Sequence, residues 1–134
     1  MNTTKEHQRY EEGRRFPRIQ ATIPIRVEQG DKTIEAITYD ISPDGLQVRC
    51  NRQIAQILYS KTGRIPVKDR PLVDITLELP AGRRGKKFSA SCEVVYMIFL
   101  EPTEPGVENA AIGLRFSSIR GRSGKHLQRF LFKR

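Results

Sequence analysis

Ile23-Pro24-Ile25-Arg26-Val27-Glu28-Gln29-Gly30-Asp31-Lys32 is the stretch that decides the fold. Ile23, Ile25 and Val27 fall on one face, with Thr22, Arg26 and Glu28 on the other, which is the period of a half-buried strand. Pro24 has no N–H to give to a ladder, so it belongs on an edge strand or at a strand's first position. Gln29-Gly30-Asp31-Lys32 then predicts a tight hairpin turn. One half-buried strand and a hairpin set the theme for the rest of the chain.

Downstream, a second strand is expected around Thr33–Ile41, and Ser42-Pro43-Asp44-Gly45 carries the Pro and Gly of a turn. Leu46-Gln47-Val48-Arg49-Cys50 alternates again as a third strand. Ile54, Ile57 and Leu58 stand at helical spacing and predict a short helix over 52–59, followed by a polar loop over 60–70. Leu72–Leu79 places Val73, Ile75, Leu77 and Leu79 on one face, and the turn Ala81–Gly85 joins it to a strand at Phe88–Phe99. Glu101–Glu108 is a Pro- and Glu-rich loop, and Ala111–Phe116 is expected as the last strand. Ser117 or Ser118 is expected to cap a C-terminal helix with an apolar stripe at Leu127, Phe130 and Leu131. Gly121 and Gly124 weaken its first turns, which moves regular helix to about Lys125. Upstream, residues 1–13 are polar and aperiodic and predict a flexible N-terminal arm; residues 14–134 predict a single domain. Six short strands and one terminal helix define an all-β fold, an antiparallel β-barrel plugged by the helix.

Composition narrows the partners. The 134 residues suffice for one core and not for two. Net charge is +9, from 24 basic and 15 acidic residues, which favours an anionic partner. The charge is unevenly spread: no acid follows Glu108, while Arg115, Arg120, Arg122, Lys125, Arg129, Lys133 and Arg134 do. No apolar run approaches the roughly 20 residues of a membrane span. The start, Met1 to Arg15, lacks the apolar stretch of a signal peptide, so a cytoplasmic protein is expected. Cys50 and Cys92 sit among strand-forming neighbours and are expected as buried free thiols.

Two clusters carry chemistry. In Arg14-Arg15-Phe16-Pro17-Arg18, Pro17 pushes Phe16 into extended geometry, so the guanidinium groups splay from a loop. An arginine fork matches phosphate oxygens and the O6/N7 edge of guanine, and it can stack on a base. In Asp40-Ile41-Ser42-Pro43-Asp44-Gly45, Asp40 and Ser42 are two apart and can share a side. A carboxylate accepts from guanine N1–H and N2–H₂, which no other common base presents together. The serine hydroxyl can donate to a phosphate or a base, and Gly45 allows a sharp turn. Each cluster also has a plain reading, as a solvated basic linker and as an Asx-type turn.

In order, Arg14-x-x-x-Arg18, a hairpin, then Asp40-x-Ser42-x-x-Gly45 resembles the PilZ domain, a bacterial receptor family for cyclic di-GMP. Pro24 in the first strand and Gly113-Leu114-Arg115-Phe116 before the helix continue the likeness, which spans about residues 14 to 131. The resemblance implies a six-stranded barrel of the split-barrel type with a C-terminal helix. It implies that Arg14 and Arg18 hold phosphates and guanine edges, that Asp40 and Ser42 contact a guanine, and that Arg15 adds a phosphate or stacking contact. The mechanism expected from the like charges of Arg14, Arg15 and Arg18 is a switch: ligand offsets their repulsion, clamps the arm near Asp40–Gly45 and presents a surface to a protein partner.

Two other classes compete. A small basic barrel for single-stranded nucleic acid needs exposed aromatics among its cations; aromatics here are 7%, without tryptophan, and Phe16, Tyr39, Phe88, Phe116 and Phe130 fall at expected core positions. A PilZ-like adaptor that binds no ligand is the other. Catalysis finds no support. Gly82-x-x-Gly85-Lys86 and Gly121-x-x-Gly124-Lys125 have two residues between the glycines where a phosphate loop has four, and no Ser or Thr follows either lysine. His7 lies in the expected arm and His126 in the basic helix, no cysteine stands at metal spacing, and Asp40 and Asp44 belong to one turn. Neither a metal nor a cofactor is expected.

Overall fold

The computed structural model describes residues 18–80, 83–101 and 108–132. The expected arm, 1–13, lies outside them, as do Arg14, Arg15 and Phe16. The strands are β1 (Ile19–Gln20), β2 (Pro24–Gln29), β3 (Lys32–Ile41), β4 (Gly45–Cys50), β5 (Gly63–Arg64), β6 (Leu72–Leu79), β7 (Lys86–Phe99) and β8 (Ala110–Ile119). The helices are α1 (Arg52–Leu58) and α2 (Ser123–Phe132). Pairing runs β3–β2–β6–β7–β8–β4, all antiparallel, and β4 returns to β3. Six strands thus close a barrel; β1 extends it beside β3, and β5 lies beside β7.

Alternation accounts for the wall. Ile25 and Val27 on β2, Val73, Ile75, Leu77 and Leu79 on β6, and Phe88, Ala90, Cys92 and Val94 on β7 are all buried, while the residues between them point outward. Closure matters because it leaves no long unpaired edge. The hairpin at Gly30 has positive φ at the first of its two central residues only (62°), where a type II′ turn favours glycine. Asn51 caps α1, its Oδ1 accepting from Ile54 N at 2.8 Å, and Ala55 and Leu58 go inward. Leu127 and Leu131 of α2 join the core, with Phe130 packed against it. Ser123 Oγ accepts from Ser89 N at 3.0 Å and pins the start of α2 to β7.

Several expectations need correction. Of the two places expected for Pro24, the structure shows the strand start and not the edge, because β2 begins at Pro24 and lies between β3 and β6. The last strand does not stop at Phe116: pairing with the long β7 carries β8 to Ile119, so Ser117 and Ser118 are strand residues and cap nothing. The chain then turns at Gly121, φ 55°, and α2 begins at Ser123, two residues before the expected start. The loop over 60–70 contains β5 and a short 3₁₀ turn, Val67–Asp69. Arg70 clamps that excursion, donating from Nε to Ile65 O at 3.0 Å and from Nη1 to Glu93 at 3.1 Å. Tyr39 is no core residue; it is 38% exposed.

Tyr39 is displaced by a bulge. Ile34 and Thr38 are buried at even positions and Ile41 at an odd one, and the β3–β4 register shifts between Thr38 and Asp40. The inserted residue breaks the period and re-aims its neighbours. The same event occurs on β7, where buried Val94 and Met97 differ in parity and the register shifts between Val94 and Tyr96.

Both cysteines are buried and free, as expected. Burial, with Glu108 adding to it, pushes the Cys50 thiol from the ordinary 9.0 to about 11; burial, with Asp74 adding, pushes Cys92 to about 12. Unfolding returns both to the ordinary value, so their contribution to stability is fully present below pH 9 and is lost as pH rises through 9 towards 11 and 12. A Cys50→Ala, Cys92→Ala variant should therefore lose less stability than the parent between pH 8 and pH 10.5 in urea titrations. Parallel losses would contradict the burial of the thiols.

Candidate ligand-binding site

β1 brings the two motifs together. Its register with β3, Ile19 opposite Ile41 and Gln20 opposite Asp40, sets Arg18 beside the end of β3. Arg18 Nη1 lies 3.0 Å from Asp40 Oδ1, with both side chains largely shielded (26% and 13% exposed). Among the described residues Arg18 Nε is buried without a hydrogen-bond partner. Thr38 holds this corner from inside: its Oγ1 accepts from Ile23 N at 2.9 Å and donates to Ala21 O, tying the segment between β1 and β2 to β3.

Ser42 is buried, and its Oγ donates to Gly45 O at 3.2 Å while its N–H bonds the same carbonyl at 2.9 Å. The hydroxyl expected to face a ligand thus closes its own turn. Gly45 is needed for a different reason than the expected sharp turn, since its φ is not positive. It is the first residue of β4, and a Cβ there would overlap the Leu114 carbonyl oxygen of β8. Glycine allows the two backbones to meet.

Arg18, Ser42, Asp44 and Gly45 line one side of a cleft of about 360 Å³. The other side holds residues the sequence patterns did not single out: Arg64, Arg70, Tyr96 and Arg115. The phase change along β7 and the glycine at 113 were the available signals for Tyr96; nothing in the sequence tied Arg64 to this place. A larger cleft, about 1010 Å³, contains none of the motif residues among those described. There the acids Glu28, Glu35, Glu78 and Glu108 stand among Arg26, Arg49 and Lys87, so it offers no excess of cations for an anion. The smaller cleft has that excess.

Outside the cleft Arg49 stacks on Tyr39, 3.9 Å from guanidinium carbon to ring centroid, and Gln20 Nε2 donates to Tyr39 Oη at 3.1 Å. Among the described residues no cluster of three or more His, Cys, Asp or Glu is placed to hold a metal ion. Among them, too, no helix is long and apolar enough to cross a membrane.

Fold and site together define a small closed antiparallel barrel with a terminal helix and a cation-lined cleft at one corner. The chain belongs to the PilZ domain family, whose model matches residues 12–133. No curated protein sequence matches it. Among solved structures it is similar to the Bacillus subtilis inhibitor of motility MotI/DgrA, with TM-score 0.66 and 16% identity, covering 90% of this chain and 50% of that one. The chain thus spans half the length of that protein. It is also similar to the PilZ domain of YcgR from Escherichia coli, solved with c-di-GMP (TM-score 0.58, 18% identity, 90% and 89% covered). A third is PlzA of Borreliella burgdorferi, in complex with c-di-GMP (TM-score 0.58, 17% identity, 93% and 55% covered). At these identities the likeness is one of fold.

Proposed function

We propose that the chain is a non-enzymatic cyclic di-GMP receptor that signals to a protein partner through its N-terminal arm. The observation that carries this reading is the contact of Arg18, which lines the cleft, with Asp40, which stands behind it, because it joins the two halves of the motif. In this reading Arg18 and Arg14 take phosphate oxygens and guanine edges, and Arg15 adds a phosphate or stacking contact. Arg14 is four residues from Arg18, so chain geometry keeps their Cα atoms within about 14 Å. Arg18 takes Oδ1 of Asp40, leaving the second carboxylate oxygen for the guanine N–H donors. Ser42 offers its lone pairs, or releases Gly45 O to donate. Gly45 lets β4 meet β8 closely beside the cleft.

Without ligand, Arg14, Arg15 and Arg18 repel one another, and Asp40 offsets part of that repulsion at Arg18. A ligand with two phosphates supplies the missing negative charge, and the arm, residues 1–13, orders against the barrel. The ordered arm is then the surface a partner protein meets. The domain, residues 14–134, acts as one unit beneath it. The test is calorimetric titration with cyclic di-GMP of the parent chain and of Arg14→Ala and Arg18→Ala; unchanged affinity in the variants removes the proposed site.

A further inference from the structure

The family motif accounts for one wall of the cleft, and strand register defines the other. Gln47 on β4 stands opposite Gly113 on β8, Gly113 opposite Tyr96 on β7, and Tyr96 opposite Arg64 on β5. In the next row Gly45 stands opposite Arg115, and Arg115 opposite Glu93. A Cβ on Gly113 would run into the Tyr96 ring, so the missing side chain is what lets that ring lie across β8. Gln47 Nε2 donates to Tyr96 Oη at 2.6 Å, and Gln47 Oε1 accepts from Arg49 Nε at 2.7 Å, which fixes the ring from its far end. The result is a half-buried aromatic plate on the cleft wall between two arginines.

Those two arginines can turn to a ligand. Arg115 is 65% exposed and stands 3.8 Å from Glu93, a loose pairing. Arg64 is exposed and has no carboxylate partner among the described residues. Arg70, by contrast, is 6% exposed and committed to Ile65 O and Glu93, so it holds the loop rather than a ligand. An aromatic face flanked by exposed guanidinium groups suits a purine nucleotide: the base stacks and the phosphate is bridged.

We propose that Tyr96, Arg64 and Arg115 form the second half of the binding site, stacking the second guanine of a cyclic dinucleotide and holding its phosphate. The proposal rests on the cyclic di-GMP reading above and extends it to residues outside the motif. A dinucleotide has two bases and two phosphates, and the Arg18–Asp40 corner has the groups for one of each. Arg18 and Tyr96 line the same cleft, so one ligand can reach both.

The experiment is calorimetric titration with cyclic di-GMP of the parent chain and of Arg64→Gln, Arg115→Gln, Tyr96→Phe and Tyr96→Leu. Arg122→Gln is the control, since Arg122 is exposed, lies outside the cleft and changes net charge equally. Removing one charge-assisted hydrogen bond weakens binding by about tenfold or more, and removing one stacked ring has a similar effect. Arg64→Gln, Arg115→Gln and Tyr96→Leu should each bind about tenfold more weakly, and Tyr96→Phe and Arg122→Gln should stay within about threefold of the parent. Should Tyr96→Leu fail to fold, the two arginine variants, both at exposed positions, still decide the matter. Affinity within about threefold of the parent in either arginine variant overturns the proposal and leaves the receptor reading standing. Equal weakening in Arg122→Gln also overturns it, as general charge attraction. A parent chain that does not bind cyclic di-GMP overturns the receptor reading, and this one with it.

Discussion

Arg18→Ala is expected to weaken cyclic di-GMP binding by about 100-fold. Two effects add up. The first is removal of a charge-assisted hydrogen bond to phosphate or guanine, worth about 1.5–3 kcal/mol, or roughly 10- to 100-fold in affinity. The second is electrostatic: with Arg18 gone, the shielded Asp40 carboxylate loses its paired cation and its charge is left uncompensated beside an anionic ligand. Arg14→Ala carries only the first effect and should fall at about 10- to 100-fold. Arg18→Lys separates charge from shape, because lysine keeps the cation but lacks the planar fork. It should bind better than Arg18→Ala and worse than the parent. Calorimetry on these variants checks the order; an Arg18→Ala affinity within about threefold of the parent contradicts it.

Phe88→Ala carries the largest expected effect on stability, about 3–5 kcal/mol. Phe88 is among the largest fully buried side chains, and its ring meets Phe116 at 5.4 Å between centroids and 54° between planes. It sits on β7 opposite Leu77, one residue before the backbone amide that bonds Ser123 of α2. Truncation therefore opens a cavity where β6, β7 and β8 meet and the start of the helix is anchored. Small domains hold only about 5–15 kcal/mol in all, so this variant approaches unfolding at room temperature. Urea titration should show a lower midpoint with an unchanged slope, and Phe88→Leu should cost less. A destabilisation under about 1 kcal/mol would contradict the packing.

The barrel was legible in the sequence because alternation is a local signal. Val73, Ile75, Leu77 and Leu79 show one face of β6 without reference to any other strand, and Gly30 marks its hairpin by conformation alone. What escaped the sequence depended on partners. Ser117 and Ser118 have no strong local preference, and it is pairing with β7 that draws them into β8. Tyr39 has the apolar bulk of a core residue, yet the bulge turns it to the surface.

The site divides the same way. Arg18, Asp40, Ser42 and Gly45 could be read as a spaced motif because each belongs to one short segment. Their roles could not: Gly45 is required by Leu114, which lies 69 positions away by numbering (114 − 45), and Ser42 is held within its own turn. Arg64, Tyr96 and Arg115 come from three separate strands, and only the register of β5, β7 and β8 makes them neighbours.

In the proposed receptor, the Asp40 carboxylate set beside Arg18 selects guanine dinucleotides at the barrel corner. The most direct test of that selection is competition between cyclic di-GMP and cyclic di-AMP for the parent chain. The two ligands have the same backbone and charge, and only guanine offers N1–H and N2–H₂ to Asp40. Saturable binding of cyclic di-GMP, with the adenine analogue weaker by about tenfold or more, is the expected result. Equal affinity for the two, or binding of neither, would contradict the account.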